Sequence, residues 1–285
     1  MITTEIFSSD LPVGEKLSIR RTRFESSTGT SKKQKRISIV SGIHGDELEG
    51  QLVIYLLADW LNKNSDKLKG IVDIYPAVNS LGVDTITRGF PMYEVDLNRA
   101  FPGSPNEFLP GQVVYALAQD VKGSNIAIDI HSSNIFLREI PQIRMNKEYS
   151  KSTLPLAKML NCDFIWIHDA VTVLESTFSH TLNSMGTKTL VVEMGVGMRL
   201  TKEYGHQLLL GILNLMNKEG IIDCKDDFIT REAFNSEVGE VFYLNAPKSG
   251  LFVPALDHCA IIKKGDKIGD TVDPLTGTIH CELIS

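Results

Sequence analysis

The chain has 285 residues, 42% hydrophobic and 22% charged, with a formal net charge of −6. This balance suits a soluble globular protein with a full core, built as one large domain or as one of about 200 residues with a small companion. The acidic net charge argues against nucleic acid or an anionic membrane surface as the main partner.

Met1-Ile-Thr-Thr-Glu-Ile-Phe7 has neither a basic opening nor a long apolar run, so no signal peptide is read there and a cytoplasmic protein is expected. The apolar stretch Leu208–Met216 is far below membrane-spanning length. Cys162, Cys224, Cys259 and Cys281 are widely spaced without a Cys-x-x-Cys pair, which predicts buried free thiols rather than a thiolate zinc site or a disulfide framework.

In chain order, residues 16–25 alternate as a strand, residues 26–31 form a polar turn, and Lys32-Lys33-Gln34-Lys35-Arg36 is a solvated basic turn. Residues 36–40 are β-rich, and residues 48–61 carry apolar side chains at helical spacing. A β-run from Gly70 ends at Pro76. Residues 82–108, rich in Gly, Pro, Asn and Arg, read as a long loop of the functional kind. There follow helix 112–121, strand 125–131, helix 153–160, strand 164–168, helix 176–184, strand 189–193 and helix 201–218.

This alternation predicts an α/β fold, a mostly parallel sheet with helices on both faces, whose sites gather at the carboxyl ends of strands. From about Phe228 short β-runs and Gly turns replace it: 240–244, 250–254, 260–269 and 277–280. The expected division is therefore a large α/β domain over 1–227 and a small β domain over 228–285, structural or gating. Its Lys263-Lys264-Gly265-Asp266-Lys267 turn is similar to carrier folds, but no lysine-centred carrier motif accompanies it.

Ser41-Gly42-Ile43-His44-Gly45-Asp46-Glu47 ends an apolar strand and sets an imidazole three residues from a carboxylate, on one face if a helix begins there. With 7 His and 17 Glu in the chain, roughly 0.4 such pairs arise by chance, so the pair needs company. His131, at the end of strand 125–131, supplies it. Two imidazoles and one carboxylate suit a single catalytic zinc ion with an open position, which supplies an acidified water and polarises a carbonyl. Asp129 shares the His131 face. Glu193 ends an otherwise apolar strand, a place where carboxylates seldom stand without a partner or a task, and is assigned general base and then proton donor. In the loop, Arg88 is a candidate oxyanion stabiliser.

His44-Gly-Asp-Glu47, Thr87-Arg88, Asp96-Leu-Asn-Arg99, Asp129-Ile-His131 and Val192-Glu193-Met-Gly195, in that order, resemble the succinylglutamate desuccinylase and aspartoacylase family, itself related to zinc carboxypeptidases. The resemblance implies a carboxypeptidase-like fold with zinc on His44, Glu47 and His131, Glu193 as base and Arg88 on the carbonyl. It further implies that Asn98 and Arg99 hold a substrate carboxylate, that Asp96 backs a ligand histidine, and that a C-terminal β domain follows. Members that take acetylaspartate carry one more arginine shortly before the catalytic glutamate. Residues 176–192 contain none, Lys188 and His180 being the nearby cations, and this departure counts against aspartate specificity.

The function expected is a zinc-dependent deacylase of an N-acylated amino acid or a similar small amide bearing a carboxylate. A metallocarboxypeptidase acting on short or cell-wall peptides is the rival within hydrolases, and a non-catalytic carboxylate sensor the rival outside them. The partner expected is a small-molecule substrate, with homo-oligomerisation left open. Arg138 and Arg144 stand as cations without a signal separating a substrate role from a surface one.

Overall fold

The structure, a computed structural model, describes residues 1–26, 34–169, 175–225, 228–236 and 242–285. Most of the polar turn expected at 26–31, Lys32 and Lys33 of the basic stretch, and Glu240 and Val241 of an expected strand lie outside the described residues. The chain divides into two compact units, Met1–Val238 and Gly239–Ser285.

The large unit is built on β1 (Ile2–Asp10), β2 (Lys16–Glu25), β3 (Arg36–Ser41), β4 (Ile71–Tyr75), β5 (Ile126–His131), β6 (Glu139–Asn146), β7 (Phe164–His168), β8 (Lys188–Gly195) and β9 (Phe234–Ser236). Its helices are α1 (Glu49–Lys63), α2 (Ser80–Thr85), α3 (Leu109–Val121), α4 (Lys147–Ala157), α5 (Phe178–Ser184) and α6 (Lys202–Lys218). The strands form one mixed sheet in the order β1-β2-β4-β3-β5-β8-β6-β7-β9. Its centre, β4-β3-β5-β8, is parallel, as the strand–helix alternation requires.

Strand β5 explains why the sheet is covered on both faces, because every one of its residues is buried. Ile126, Ile128 and Ile130 pack in one cluster with Val53, Leu57, Leu208 and Ile212 of α1 and α6. Ala127 joins the opposite cluster with Val113, Val114 and Leu117 of α3 and Phe178 of α5. Each such isoleucine contributes roughly 1.5–3 kcal/mol of burial free energy. The period of two then puts Asp129 and His131 on the Ala127 face, at the carboxyl end.

Two strands escape the sequence reading. Strand β1 is a largely exposed edge that pairs only with β2. Strand β6, Glu-Ile-Pro-Gln-Ile-Arg-Met-Asn, contains a proline and two charges yet lies between β8 and β7. A register irregularity between Glu139 and Gln142 accommodates Pro141. It runs antiparallel to β8, so the sheet is mixed on that side. Helix α4 starts at Lys147, ahead of the expected 153, capped by the Asn146 side chain, which accepts from Glu148 N at 3.1 Å. The long loop after β4 is largely irregular, apart from α2 and a 3-10 turn at Leu97–Arg99 capped by Asp96.

The small unit is a three-stranded antiparallel sheet of β10 (Leu251–Pro254), β11 (Lys267–Asp273) and β12 (Thr278–Ile284). Residues 242–244, expected within a strand, are irregular, and β11 begins at Lys267 rather than at Ala260. Residues 228–236, expected in this unit, include β9, which pairs with β7 in the large sheet. No disulfide joins any of the four cysteines, but of these only Cys162 is buried while Cys259 is exposed, because it sits in a loop of a thin sheet with little interior. No described helix is long and apolar enough to cross a membrane.

Candidate metal centre and active-site cavity

Strand β3 delivers the first two donors through a tight turn. Gly42 has φ +68°, and a Cβ there would lie 3.0 Å from the backbone of Pro76 and Ala77. At Gly45 a Cβ would come within 2.0 Å of the carbonyl carbon of Gly82, so the turn lies flat against the start of α2 and donates Gly45 N–H to Thr87 O at 3.1 Å. Helix α1 begins at Glu49. His44 and Glu47 therefore sit in the turn before the helix, not on its first turn as their spacing predicts. The turn itself, with Glu47 N–H on His44 O at 3.4 Å, brings the two side chains together.

His131 ends β5, the strand beside β3, and its side chain meets the same carboxylate. Glu47 Oε1 lies 2.7 Å from His44 Nδ1 and Glu47 Oε2 lies 2.8 Å from His131 Nδ1. All three residues are buried, and one donor atom from each lies within 4.8 Å of the others. The opposite edges of both rings face further carboxylates: His44 Nε2 is 2.9 Å from Asp96 Oδ1, and His131 Nε2 is 2.9 Å from Asp129 Oδ2. Asp129 is thus a buried partner of a ligand candidate, which sequence spacing left open between orienting and solvated roles. Its Asp-x-His spacing on a strand is the signal for it.

This donor set fits a divalent cation. Four carboxylate contacts on two imidazoles call for two imidazolium ions, or for neutral rings that give their Nε2 protons to aspartates and aim both Nδ1 lone pairs at one ion. Burial weighs against charge on His44, yet hydrogen bonds to Asp96 and Glu47 raise its pKa above the ordinary value. His131 is raised well above it, the negative charges of Asp129 and Glu47 overcoming burial. Burial alone would raise Glu47, but the two imidazoles hold it far below the usual carboxylate range. The pocket is thus organised to hold positive charge between three carboxylates.

A cavity of about 530 Å³ opens at this cluster, lined by His44, Glu47, Arg88, Asn98, Arg99, His131 and Glu193 among others. Glu193 is the ladder partner of His131 across β5 and β8. Its side chain is 16% exposed. Burial pushes its pKa up from 4.5 to about 7, against the pull of His131 and Arg144.

Arg88 reaches in from the loop, donating from Nη1 to Glu47 Oε1 at 2.8 Å and lying 3.4 Å from Asp96 Oδ2. Asn98 accepts Phe178 N–H on its Oδ1 at 2.9 Å, which turns its amide nitrogen towards His131 Nε2, 3.5 Å away. Arg99 is exposed and donates to Asn98 O at 2.8 Å. Of the two nearby cations expected before Glu193, His180 lines the cavity. Lys188 is exposed at the other end of β8, paired with Ile126.

Sequence reasoning did not separate Arg144 from surface arginines, because the short Ile143–Asn146 alternation of β6, broken upstream by Pro141, is not read as a strand. The structure sets it on the cavity wall, 3.6 Å from Glu193 Oε1, ion-paired to Glu139 and stacked over Trp166 at 5.6 Å. Arg138, by contrast, stacks over Tyr204 at 5.7 Å and does not line the cavity.

Comparison with known proteins bears on the family and the fold. The family model for the succinylglutamate desuccinylase/aspartoacylase catalytic domain matches residues 33–218. N-alpha-acetyl-L-2,4-diaminobutyric acid deacetylase of Halomonas elongata is 24% identical over 82% of this chain, which spans 66% of that relative's length. Among solved structures, a succinylglutamate desuccinylase from Silicibacter aligns with TM-score 0.80 at 20% identity, covering 98% of this chain and 84% of the other. A succinylglutamate desuccinylase/aspartoacylase from Rhodobacter sphaeroides aligns with TM-score 0.76 at 23% identity, covering 95% and 81%. These two share the fold described above. With the family model spanning β3 to α6, the chain belongs to the succinylglutamate desuccinylase/aspartoacylase catalytic-domain family.

Proposed function

We propose that the protein hydrolyses the amide bond of an N-acylated amino acid, or of a similar small amide carrying a carboxylate, using a zinc ion held by His44, Glu47 and His131. The observation that carries this reading is the buried His–Glu–His cluster, each imidazole backed by an aspartate, beside a mostly buried carboxylate in one cavity. When bound, the ion supplies positive charge that polarises the substrate carbonyl and acidifies a water.

The protein's own groups do the rest. Asp96 and Asp129 fix both rings in the tautomer whose Nδ1 is a lone pair. Glu193, held near neutrality by burial, takes a proton from the attacking water and returns it to the leaving amine. Arg88 adds a guanidinium on the carbonyl side, where oxygen gains negative charge. Asn98, turned by its bond to Phe178, and Arg99 grip the carboxylate of the amino acid. A cavity of about 530 Å³ suits a small substrate. The Halomonas relative's name, an N-acetylated amino acid deacetylase, is of the same class.

The test is metal analysis of the purified protein, followed by hydrolysis assays with zinc over acylated amino acids and short peptides. Turnover of acylated amino acids that chelation abolishes and zinc restores is expected. Cleavage of peptides alone moves the protein to the peptidase reading, and absence of hydrolysis with a loaded site overturns both.

A further inference from the structure

The chemistry above leaves Glu49 unused, a fully buried carboxylate at the start of α1. Acids are rarely buried to this extent without a partner or a task. Both of its oxygens accept Thr201 N–H, Oε1 at 2.8 Å and Oε2 at 3.0 Å. Thr201 is the N-cap residue of α6, so the amino ends of α1 and α6 converge on one carboxylate, a place where both helix dipoles favour negative charge. Resting on the deacylase reading, we infer that Glu49 is a positioning residue: through Gly195 and Thr201 it sets where the Glu193 carboxylate stands relative to His44, Glu47 and His131.

Residues 195–201, which follow the strand of the base, are fastened along their length. Gly195 ends β8 just after Glu193, with φ +74°. A Cβ there would lie 2.2 Å from Glu49 Oε1, so the carboxylate is seated against the backbone at the end of that strand. Gly197 N–H donates at 3.3 Å to the carbonyl of Asn134, shortly after His131. Met198 N–H donates at 2.7 Å to the carbonyl of Asp46, between His44 and Glu47. Thr201 closes the series on Glu49 itself. The segment leaving the base is thus bonded to both stretches that carry the metal-ligand candidates.

Of these fastenings, the one on Glu49 is made by a side chain. The Gly197 and Met198 bonds run from backbone to backbone, whereas the reach of Glu49 sets how far Gly195 and the start of α6 stand from the ligand turn. A side chain one methylene shorter withdraws the acceptor from Thr201 N–H and opens a gap at Gly195, which a close-packed interior closes by moving backbone. The ligand imidazoles keep their own supports in Asp96 and Asp129. The base therefore moves while the cluster stays, and a misplacement of about 1 Å at a reacting group costs roughly 10² in rate.

The experiment measures kcat per bound zinc, KM and zinc affinity of the full chain with an Nα-acetyl amino acid that the wild-type protein hydrolyses. Glu49→Asp keeps the charge and shortens the reach, and its kcat is expected to fall about 10- to 100-fold with KM and zinc affinity unchanged. Glu49→Gln keeps the reach and an acceptor oxygen, and stays near wild type. Thr201→Pro removes the donor and leaves the acid; it loses kcat as Glu49→Asp does, and the double variant loses no more, because both changes break one contact. Should either single variant fail to fold, the other decides. Wild-type kcat per zinc in the folded variants, which is what a merely structural Glu49 gives, overturns the inference. So does a loss confined to KM, or a Glu49→Gln protein impaired where Glu49→Asp is not, which would make charge rather than reach the cause. In each of these outcomes the deacylase stands; no turnover by zinc-loaded wild-type protein overturns both.

Discussion

Asp129 Oδ2 and His131 Nε2 lie 2.9 Å apart on β5, two residues apart in sequence and on one face of one strand. His44 is backed the same way by Asp96, which comes from a loop 52 residues further on. The two ligand candidates thus receive the same support from one local and one distant carboxylate. In a neutral ring each aspartate would favour the proton on Nε2.

Replacing Asp129 by Asn removes the charge but leaves the shape, and zinc affinity is expected to fall by about 10- to 100-fold. Competition with a chromophoric chelator measures it. Unchanged affinity would remove Asp129 from the metal centre.

Zinc binding is expected to release protons at neutral pH. Both imidazoles sit above their ordinary pKa without the ion, and metal coordination needs them neutral on Nδ1. Calorimetry in buffers of different ionisation enthalpy, at pH 7, should find protons released per ion bound, and affinity should weaken as pH falls. Binding with no proton release would contradict the charge arrangement described.

Glu193→Gln is expected to retain zinc and to lose about 10² to 10⁴ in kcat, the worth of a positioned acid–base group. Zinc content and single-turnover rates on one sample separate the two effects. Near-native turnover would rule Glu193 out of the proton transfer.

The same residue makes a stability prediction for the metal-free protein. Its folded pKa is about 7 against 4.5 for an ordinary glutamate, so the folded state holds the proton more tightly than the unfolded one. Its contribution is present in full below pH 4.5 and is lost as pH rises to about 7. Relative to wild type, Glu193→Gln should therefore gain melting temperature between those pH values and level off above them. A flat difference would mean the carboxylate is better solvated than its burial implies.

Gly45→Ala places a methyl group 2.0 Å from the Gly82 carbonyl carbon. Backbone on both sides cannot yield, so a loss of about 1–3 kcal/mol or more is expected by chemical denaturation, with weaker zinc binding because His44 and Glu47 move with the turn. Wild-type stability would mean the two loops are not packed as described.

Much of this was legible in the residues themselves. Strand–helix alternation predicted the parallel centre of the sheet, because a strand buried on both faces is largely apolar, as β5 is apart from Asp129 and His131. Spacing singled out His44, Glu47, His131 and Glu193 because polar residues at the ends of apolar strands stand out against their surroundings. What the sequence could not decide was the neighbourhood of β6. A strand carrying Pro141, Glu139 and Arg144 has only the short Ile143–Asn146 alternation to announce it, and its place between β8 and β7 follows from sheet pairing across distant segments. Only that pairing brings Arg144 and Glu139 to the cavity, and only the fold leaves Lys188 at the far end of β8. The candidate metal ligands were written in local pattern, whereas the β6 wall of the cavity was decided by long-range packing.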